Sequence, residues 1–394
     1  MIYLDNASTT KMSENAKKAM LPYFDEIYGN PSSLHELGQK AKEAVETARE
    51  NIAKCLNTEK NEIYFTSGGS ESDNWAIMSI ASSGLKKGKN HIITSKFEHH
   101  AVLHTLKKLK VQGFEITYLP VYEDGIIKIE DLKNAIKAET CLVTIMLANN
   151  EIGTIQPIKD IGALCREMGV VFHTDAVQAV GHIKVDVKEL NVDLMSFAGH
   201  KFHGPKGIGG LFIRRGIFLP NFIEGGAQEN RKRAGTENIP AIVGMSVALI
   251  DAITEMEKVS TKEKELRDKL FNELSKIPHS KINGDKNLRL PNNLNMCFEG
   301  IEGESLILLL SDEGICASSG SACTSESLEP SHVLLAIGLP HEIAHGSLRL
   351  TLSKDTTEEE IDKTIIAITK IVKRLRAMSP YWDELIKGER KHVI

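Results

Sequence analysis

The chain has 394 residues, 41% of them hydrophobic and 26% charged, with a formal net charge of −5 at pH 7. These are ordinary globular values, enough for a large core, and the small negative balance gives no bulk electrostatic reason to bind nucleic acid or a membrane surface. Six cysteines, at 55, 141, 165, 297, 316 and 323, form no CxxC, which argues against a zinc ribbon and against a disulfide scaffold. Residues Met1–Asp5 have no basic segment leading into an apolar one, and no run approaches the roughly 18 apolar residues of a membrane span. A reducing, cytoplasmic setting is expected.

Along the chain, Glu62-Ile-Tyr-Phe65 reads as a strand. It leads through Thr66-Ser-Gly-Gly-Ser70 into a helix with Trp75, Ile77, Met78 and Ile80. Strand-like runs come next at His91–Thr94, Glu115–Tyr118, Cys141–Leu147 and Val170–Phe172, with helical segments between most of them, and Gly207–Ile213 returns as one more strand. This alternation predicts an α/β fold with a mostly parallel sheet. After about residue 250 the pattern changes. A charged amphipathic helix over 260–276 precedes strands at Asn293–Phe298 and Ser347–Leu352. Thr356-Thr-Glu-Glu359 then reads as a capping box, opening a helix with apolar residues at 361, 365, 368, 372 and 375 and basic residues near its end. These pieces predict a smaller α+β unit packed tightly on the first.

Ser196-Phe-Ala-Gly-His-Lys201 carries the strongest chemical signal. Lys201 lies just past a strand-like run, and Asp175 ends another run 26 residues earlier. A lysine and an acid so placed suit pyridoxal phosphate: the amine forms a Schiff base with the aldehyde, and the acid pairs with the pyridinium nitrogen. Asp175 could equally cap a helix starting near Ala176, with Gln178 on the same side of that turn. The glycine run 204–210 is no Walker A loop, because no Gly-Lys-Ser/Thr closes it. Ser67-Gly-Gly-Ser70 offers free N–H groups at a helix start, which suit a phosphate, or else a plain helix cap with Glu71 as its first-turn acid. Asn149-Asn-Glu-Ile-Gly153 lies past a strand end, where α/β proteins place ligands. His99 and His100 open the next helix, and either could stack on a ring and move protons. Arg349, in an apolar strand, needs a partner: a substrate carboxylate or a structural ion pair. Cys323, among small polar residues, reads as an exposed sulfur nucleophile, whereas Cys316 reads as core. His341-Glu-Ile-Ala-His345 matches a zinc-protease pattern, but Pro340 and Gly346 leave room for one helical turn at most.

Taken together, Thr66–Asn74, Glu98-His-His-Ala-Val102, Asn149–Gly153, His173-Thr-Asp-Ala-Val-Gln178, Gly199-His-Lys201, Arg233–Asn238, Ser318–Cys323 and Ser347-Leu-Arg349 resemble, in order, the cysteine desulfurases of the NifS/IscS type. These belong to the fold-type I enzymes that use pyridoxal phosphate. The resemblance runs from Tyr3-Leu-Asp-Asn-Ala7 to Leu375–Pro380. It implies an aspartate-aminotransferase-like homodimer, with a large cofactor-binding domain over 14–257 and a small domain from 1–13 and 258–394 carrying Cys323. It implies Lys201 as the Schiff-base lysine, Asp175 on the pyridine nitrogen, Gln178 and Asn150 on the phenolic oxygen, and His99 stacked on the ring as a proton carrier. Gly69, Ser70 and His200 would hold the phosphate with Thr236 of the partner subunit. Arg349, with Asn150, would bind the carboxylate of L-cysteine. Cys323 would take the sulfur as a persulfide for an acceptor such as an iron–sulfur scaffold, or for thio-cofactor assembly. No resident metal is implied, and Cys323 alone is a candidate transient iron–sulfur ligand. Two departures stand out: Ala198 replaces a usual serine or threonine, removing a phosphate hydroxyl, and the segment after Ile386 is shorter than in scaffold-docking members. The nearest rival activities are selenocysteine lyase and cysteine-sulfinate desulfinase. A non-catalytic sulfur carrier or scaffold-binding protein is the rival from another class.

Overall fold

A computed structural model describes residues 1–319 and 330–394. Its twelve strands are β1 (Ile2–Tyr3), β2 (Ile63–Thr66), β3 (His91–Ser95), β4 (Glu115–Leu119), β5 (Thr140–Thr144), β6 (Val171–Asp175), β7 (Leu194–Ala198), β8 (Gly209–Ile213), β9 (Ser280–Ile282), β10 (Asn293–Phe298), β11 (Ile315–Cys316) and β12 (Ser347–Thr351). Seven of them form one sheet in the order β2-β8-β7-β6-β5-β3-β4. All its pairings are parallel except those of β8, which runs antiparallel to both neighbours. Neighbouring residues split between two cores, as the strand period of two requires. Ile93, Val143, Met195 and Phe212 join one cluster, and Ile92, Leu142, Leu194 and Leu211 join the other. Burial on both faces explains why these strands are continuously apolar rather than alternating.

The smaller unit is built on the antiparallel sheet β12-β10-β9. Leu294, Met296 and Phe298 of β10 pack with Leu348 and Leu350 of β12 and with Ile361, Ile368 and Val372 of the Glu358–Ala377 helix. The first residues of the chain join it: β1 pairs parallel with β11, and Leu4 is fully buried in the same cluster. A single helix, Ile239–Leu274, runs through both units, so the boundary expected at 257/258 falls inside it. Its mean hydropathy reaches 1.6 over an 18-residue window, 44% of which is buried. By length and composition that window would pass for a membrane span, a feature that reading apolar runs residue by residue does not register. Here Ile239, Ile242, Met245 and Leu249 are taken up by the large core.

Three local expectations need correction. The capping box sits one residue later than expected, on Thr357 and Glu360, because the Thr356 hydroxyl is used in the preceding turn, accepting from Ser353 N–H at 3.0 Å. No helix begins at Ala176; the chain turns there instead. Cys316 is half-buried rather than core, since β11 is two residues long and pairs with β1 alone.

Glu263, on the long helix, is 2% exposed, and burial pushes its carboxyl from 4.5 up to about 8. Below about pH 4.5 folded and unfolded chains both hold this proton and no cost arises. As pH rises towards 8 the unfolded chain ionises and the folded one does not, so stability is lost across that window. Glu263→Gln is therefore expected to stabilise the fold by on the order of a few kcal/mol at pH 8.5 and to be near neutral at pH 4.5. Melting curves at the two pH values check this; an equal effect at both would contradict it.

Candidate active site

The site is a consequence of strand order. β6 and β7 are parallel neighbours with Asp175 opposite Ser196, so their C-terminal ends bring Asp175 close to the residues just past Ala198. Those residues form one tight turn, Gly199–Lys201, which ends on Lys201. On the far side of β8, β2 ends at Thr66 and the helix Gly69–Leu85 begins. Gly69 is required there: a Cβ at that position would stand 2.6 Å from Val177 Cγ2. Glu71, the first-turn acid, accepts from Ser67 N–H at 2.8 Å and pairs with Arg233 at 2.8 Å.

These ends enclose a cleft of about 390 Å³ whose lining includes Gly69, Ser70, Asp175, Gln178, His200 and Lys201. His99, Asn150 and Arg349 complete the predicted set in the same cleft, and Ala198 lies in its wall. Thr236 is exposed and outside it. Cys323 lies outside the described residues. Larger clefts, of about 980, 760 and 430 Å³, contain no buried acid among the described residues. The sequence motif around 149–153 divides its labour. Asn149 is fully buried and structural, donating to Phe97 O at 3.0 Å and accepting from Glu151 and Ile152 N–H, whereas Asn150 faces the cleft.

The N-terminal segment supplies contacts that sequence reasoning missed. Lys201 Nζ donates to Ala7 O at 2.5 Å and to Ser8 O at 2.9 Å, and Gln178 Nε2 donates to Ala7 O at 2.9 Å. Arg349 Nη2 donates to Asp5 Oδ1 and to Ser8 Oγ, each at 2.8 Å, and Nη1 donates to Asn150 O at 3.1 Å. Arg349 thus makes the structural ion pair while also lining the cleft, and its Nε is buried without a partner among the described residues. The clue in the sequence was Asp5-Asn-Ala-Ser8, a short polar run directly after a strand.

Burial sets the electrostatics. It pushes Asp175 up to about 6, against the opposing pull of Val177 N–H, which donates at 2.9 Å, and of the Lys201 charge. Asp73, also in the cleft, is raised well above its ordinary value by burial and then by Asp175, and its Oδ1 has no hydrogen-bond partner among the described residues. His173 lies 3.6 Å from that oxygen and is held between Thr144 and Ser196, with burial pushing it down to about 3. His99 is pushed down to about 4, first by burial and then by the Lys201 charge. Its Nδ1 accepts from Ala101 N–H at 3.1 Å, which assigns the proton of the neutral ring to Nε2. Burial also pushes His200 down to about 4, and its Nδ1 meets Thr9 Oγ1 at 3.1 Å.

This donor set fits pyridoxal phosphate. Buried acids that share a cleft with a lysine amine suit a pyridinium, a neutral imidazole suits a stacked ring, and the start of a 17-residue helix suits a phosphate. The likeness to known proteins agrees. Residues 2–364 match the aminotransferase class-V family, whose members depend on pyridoxal phosphate. The chain is 54% identical, over 99% of both chains, to the cysteine desulfurase IscS of Clostridium botulinum (strain Hall). It is 55% identical, over 96% of this chain and 94% of the other, to the cysteine desulfurase IscS of Methanosarcina thermophila. Among solved structures, a NifS-like protein superposes with a TM-score of 0.90 at 39% identity, covering 95% of this chain and 99% of that one. Likeness that extends over nearly the whole length, and over a cleft of this chemistry, makes the chain a member of the aminotransferase class-V family and a cysteine desulfurase.

Proposed function

We propose that this cleft binds pyridoxal phosphate and L-cysteine and yields L-alanine, with Cys323 receiving the sulfur. The observation that carries the reading is the meeting of Lys201 and Asp175 at adjacent strand ends in one cleft. When bound, the cofactor supplies an electron sink for the substrate α-carbon. Asp175 holds its ring nitrogen in the charged form. Lys201 Nζ takes the α-proton and returns one. His99, neutral with its proton on Nε2, moves a proton along the same path. Gly69, Ser70 and His200 hold the phosphate, with Thr236 of the partner subunit in a homodimer. The Cys323 thiolate attacks the substrate sulfur: an S–S bond forms, the Cβ–S bond breaks with its electron pair staying on the carbon side, and Cβ takes up a proton, so the products are alanine and a protein persulfide. An acceptor thiol, such as that of an iron–sulfur scaffold in the cytoplasm, then takes the sulfur. The described residues flanking 320–329 support this role for Cys323, since one flank is tied to a cleft residue and the other to the chain neighbours of Asn150 and His99. Ser318 pairs with Arg349 through its main chain, the Ser331 hydroxyl donates to Glu151, and His332 Nε2 meets Glu98 O at 3.0 Å.

The test is product release from L-cysteine with a thiol reductant and no keto acid. Equal amounts of alanine and sulfide are expected; a requirement for keto acid would point to transamination instead. Arg349 gives a second prediction. If it grips the substrate carboxylate, Arg349→Ala raises KM for cysteine about 10- to 100-fold, the value of one charge-assisted hydrogen-bonded contact. Steady-state kinetics with an unchanged KM would leave Arg349 its structural contacts with Asp5, Ser8 and Asn150.

A further inference from the structure

A second cluster of ligating side chains lies at the end of the small sheet. β9 pairs with β10 as far as Ser280 opposite Phe298, and Glu299 N–H donates to His279 O at 3.0 Å, which keeps His279 and Glu299 side by side. Residues 389–394 cross this end. His392 Nδ1 donates to Glu299 Oε2 at 2.8 Å, and Val393 N–H donates to Oε1 at 2.8 Å. His279 Nδ1 lies 3.6 Å from Glu299 Oε2 and 2.7 Å from the Ile394 oxygen. The Glu299 side chain is fully buried, and its only ion-pair partners among the described residues are these two histidines.

We propose that His279, Glu299 and His392 form a binding site for a divalent ion of the zinc class, which fastens residues 389–394 to the small sheet. One ligand atom from each residue lies within 4.8 Å of the others. Zinc bonds of about 2.0–2.1 Å in a tetrahedron set ligand atoms about 3.3 Å apart, and the separations of 2.8 and 3.6 Å from Glu299 Oε2 straddle that value. Two imidazoles and one carboxylate select zinc, cobalt or nickel over calcium and magnesium. Arg376, whose Nε donates to Glu299 O at 2.9 Å, is a cation beside this carboxylate but makes no ion pair with its oxygens, and a metal ion shared with two histidines would meet those oxygens directly. The Ile394 oxygen is placed to be a fourth ligand. The imidazoles stack at 3.5 Å with 14° between their planes, so chelation turns them until both Nδ1 lone pairs converge. Each is about a third exposed, 32% for His279 and 31% for His392, which leaves room for that rotation.

Zinc content is measured on dialysed, full-length holoenzyme by elemental analysis, with Zn²⁺ titrations for affinity. One zinc per chain is expected for the wild type, for Cys323→Ala and for His341→Ala, the last two excluding the reactive thiol and the HExxH motif as the source. His392→Ala, changed on a segment outside the core, is expected to weaken zinc binding by at least about 100-fold, since loss of an outer partner alone costs about 10–100-fold. Trp382 provides a second readout: it lies edge-on to both histidines at 5.6 Å, so Co²⁺ at this site is expected to quench its emission in the wild type and not in His392→Ala. A wild type that holds no zinc, equal affinity in His392→Ala, or zinc lost only with Cys323→Ala or His341→Ala would overturn the proposal.

Discussion

Lys201→Ala is expected to lower cysteine turnover by at least about 10³-fold, the scale of a general acid–base group, while the chain stays folded. The reason lies in how the amine is held. Two main-chain oxygens, Ala7 O and Ser8 O, accept from Nζ, and the side chain lines the cleft rather than the core. Removing it leaves these two neutral acceptors beside a cleft that water can enter and takes away one of the two pulls that oppose the burial of Asp175, a change the fold is expected to tolerate. On the proposed mechanism the chemistry loses its α-proton carrier. Absorbance of bound cofactor separates the two effects: the variant is expected to hold cofactor non-covalently, with the absorbance band of the lysine adduct gone, and to recover part of its rate with a small primary amine. Turnover within tenfold of wild type would remove Lys201 from its role.

The pieces of this site that were legible in the sequence are those where a chemical residue sits at a strand end. β6 is announced by Val170-Val-Phe172 and β7 by the strand-like run just before Lys201, and strand ends in a parallel sheet converge on one edge, so Asp175 and Lys201 could be placed together without coordinates. Contacts at long sequence separation were not legible. Ala7 lies 194 residues from Lys201 and Asp5 lies 344 from Arg349, and nothing local in either stretch records those bonds. Asp73 was passed over for a different reason. One turn into a helix, an aspartate looks like an ordinary surface acid, and only the sheet packed against that helix makes it buried and leaves its Oδ1 without a hydrogen bond among the described residues. Asn149 and Asn150 are adjacent and chemically identical, so which one faces the cleft depends on the turn after β5. There, Ile145 and Leu147 still donate to His173 O and Asp175 O, although the paired strand has ended at Thr144.

Cys323→Ala carries the other large effect: sulfide release from L-cysteine is expected to fall by at least about 10²-fold while bound cofactor is unchanged. Three assigned functions separate in this one variant. The described residues proposed to hold the cofactor, from Gly69 to Lys201, are all retained in this variant, so cofactor absorbance reads their part separately from that of the sulfur acceptor. Cleavage of Cβ–S in cysteine needs a thiolate to accept sulfur, because free sulfide is a poor leaving group from carbon. Cleavage of a selenium or sulfinate group needs no such acceptor, as selenium and sulfite leave more readily. The variant is therefore expected to keep most of any activity towards selenocysteine or cysteine sulfinate while losing that towards cysteine, with no persulfide detected on the protein by mass spectrometry. The wild-type chain is expected to gain about 32 Da, one sulfur atom, on residue 323 when given cysteine without reductant. If Cys323→Ala releases sulfide at the wild-type rate, the sulfur has another acceptor. Among the described cysteines the choice is then poor: Cys55, Cys141, Cys165 and Cys297 have thiols pushed up to about 11 or 12 by burial, which keeps them protonated and unreactive at neutral pH. Only half-buried Cys316 would remain, at the start of the segment that leads to Ser318 and its pairing with Arg349.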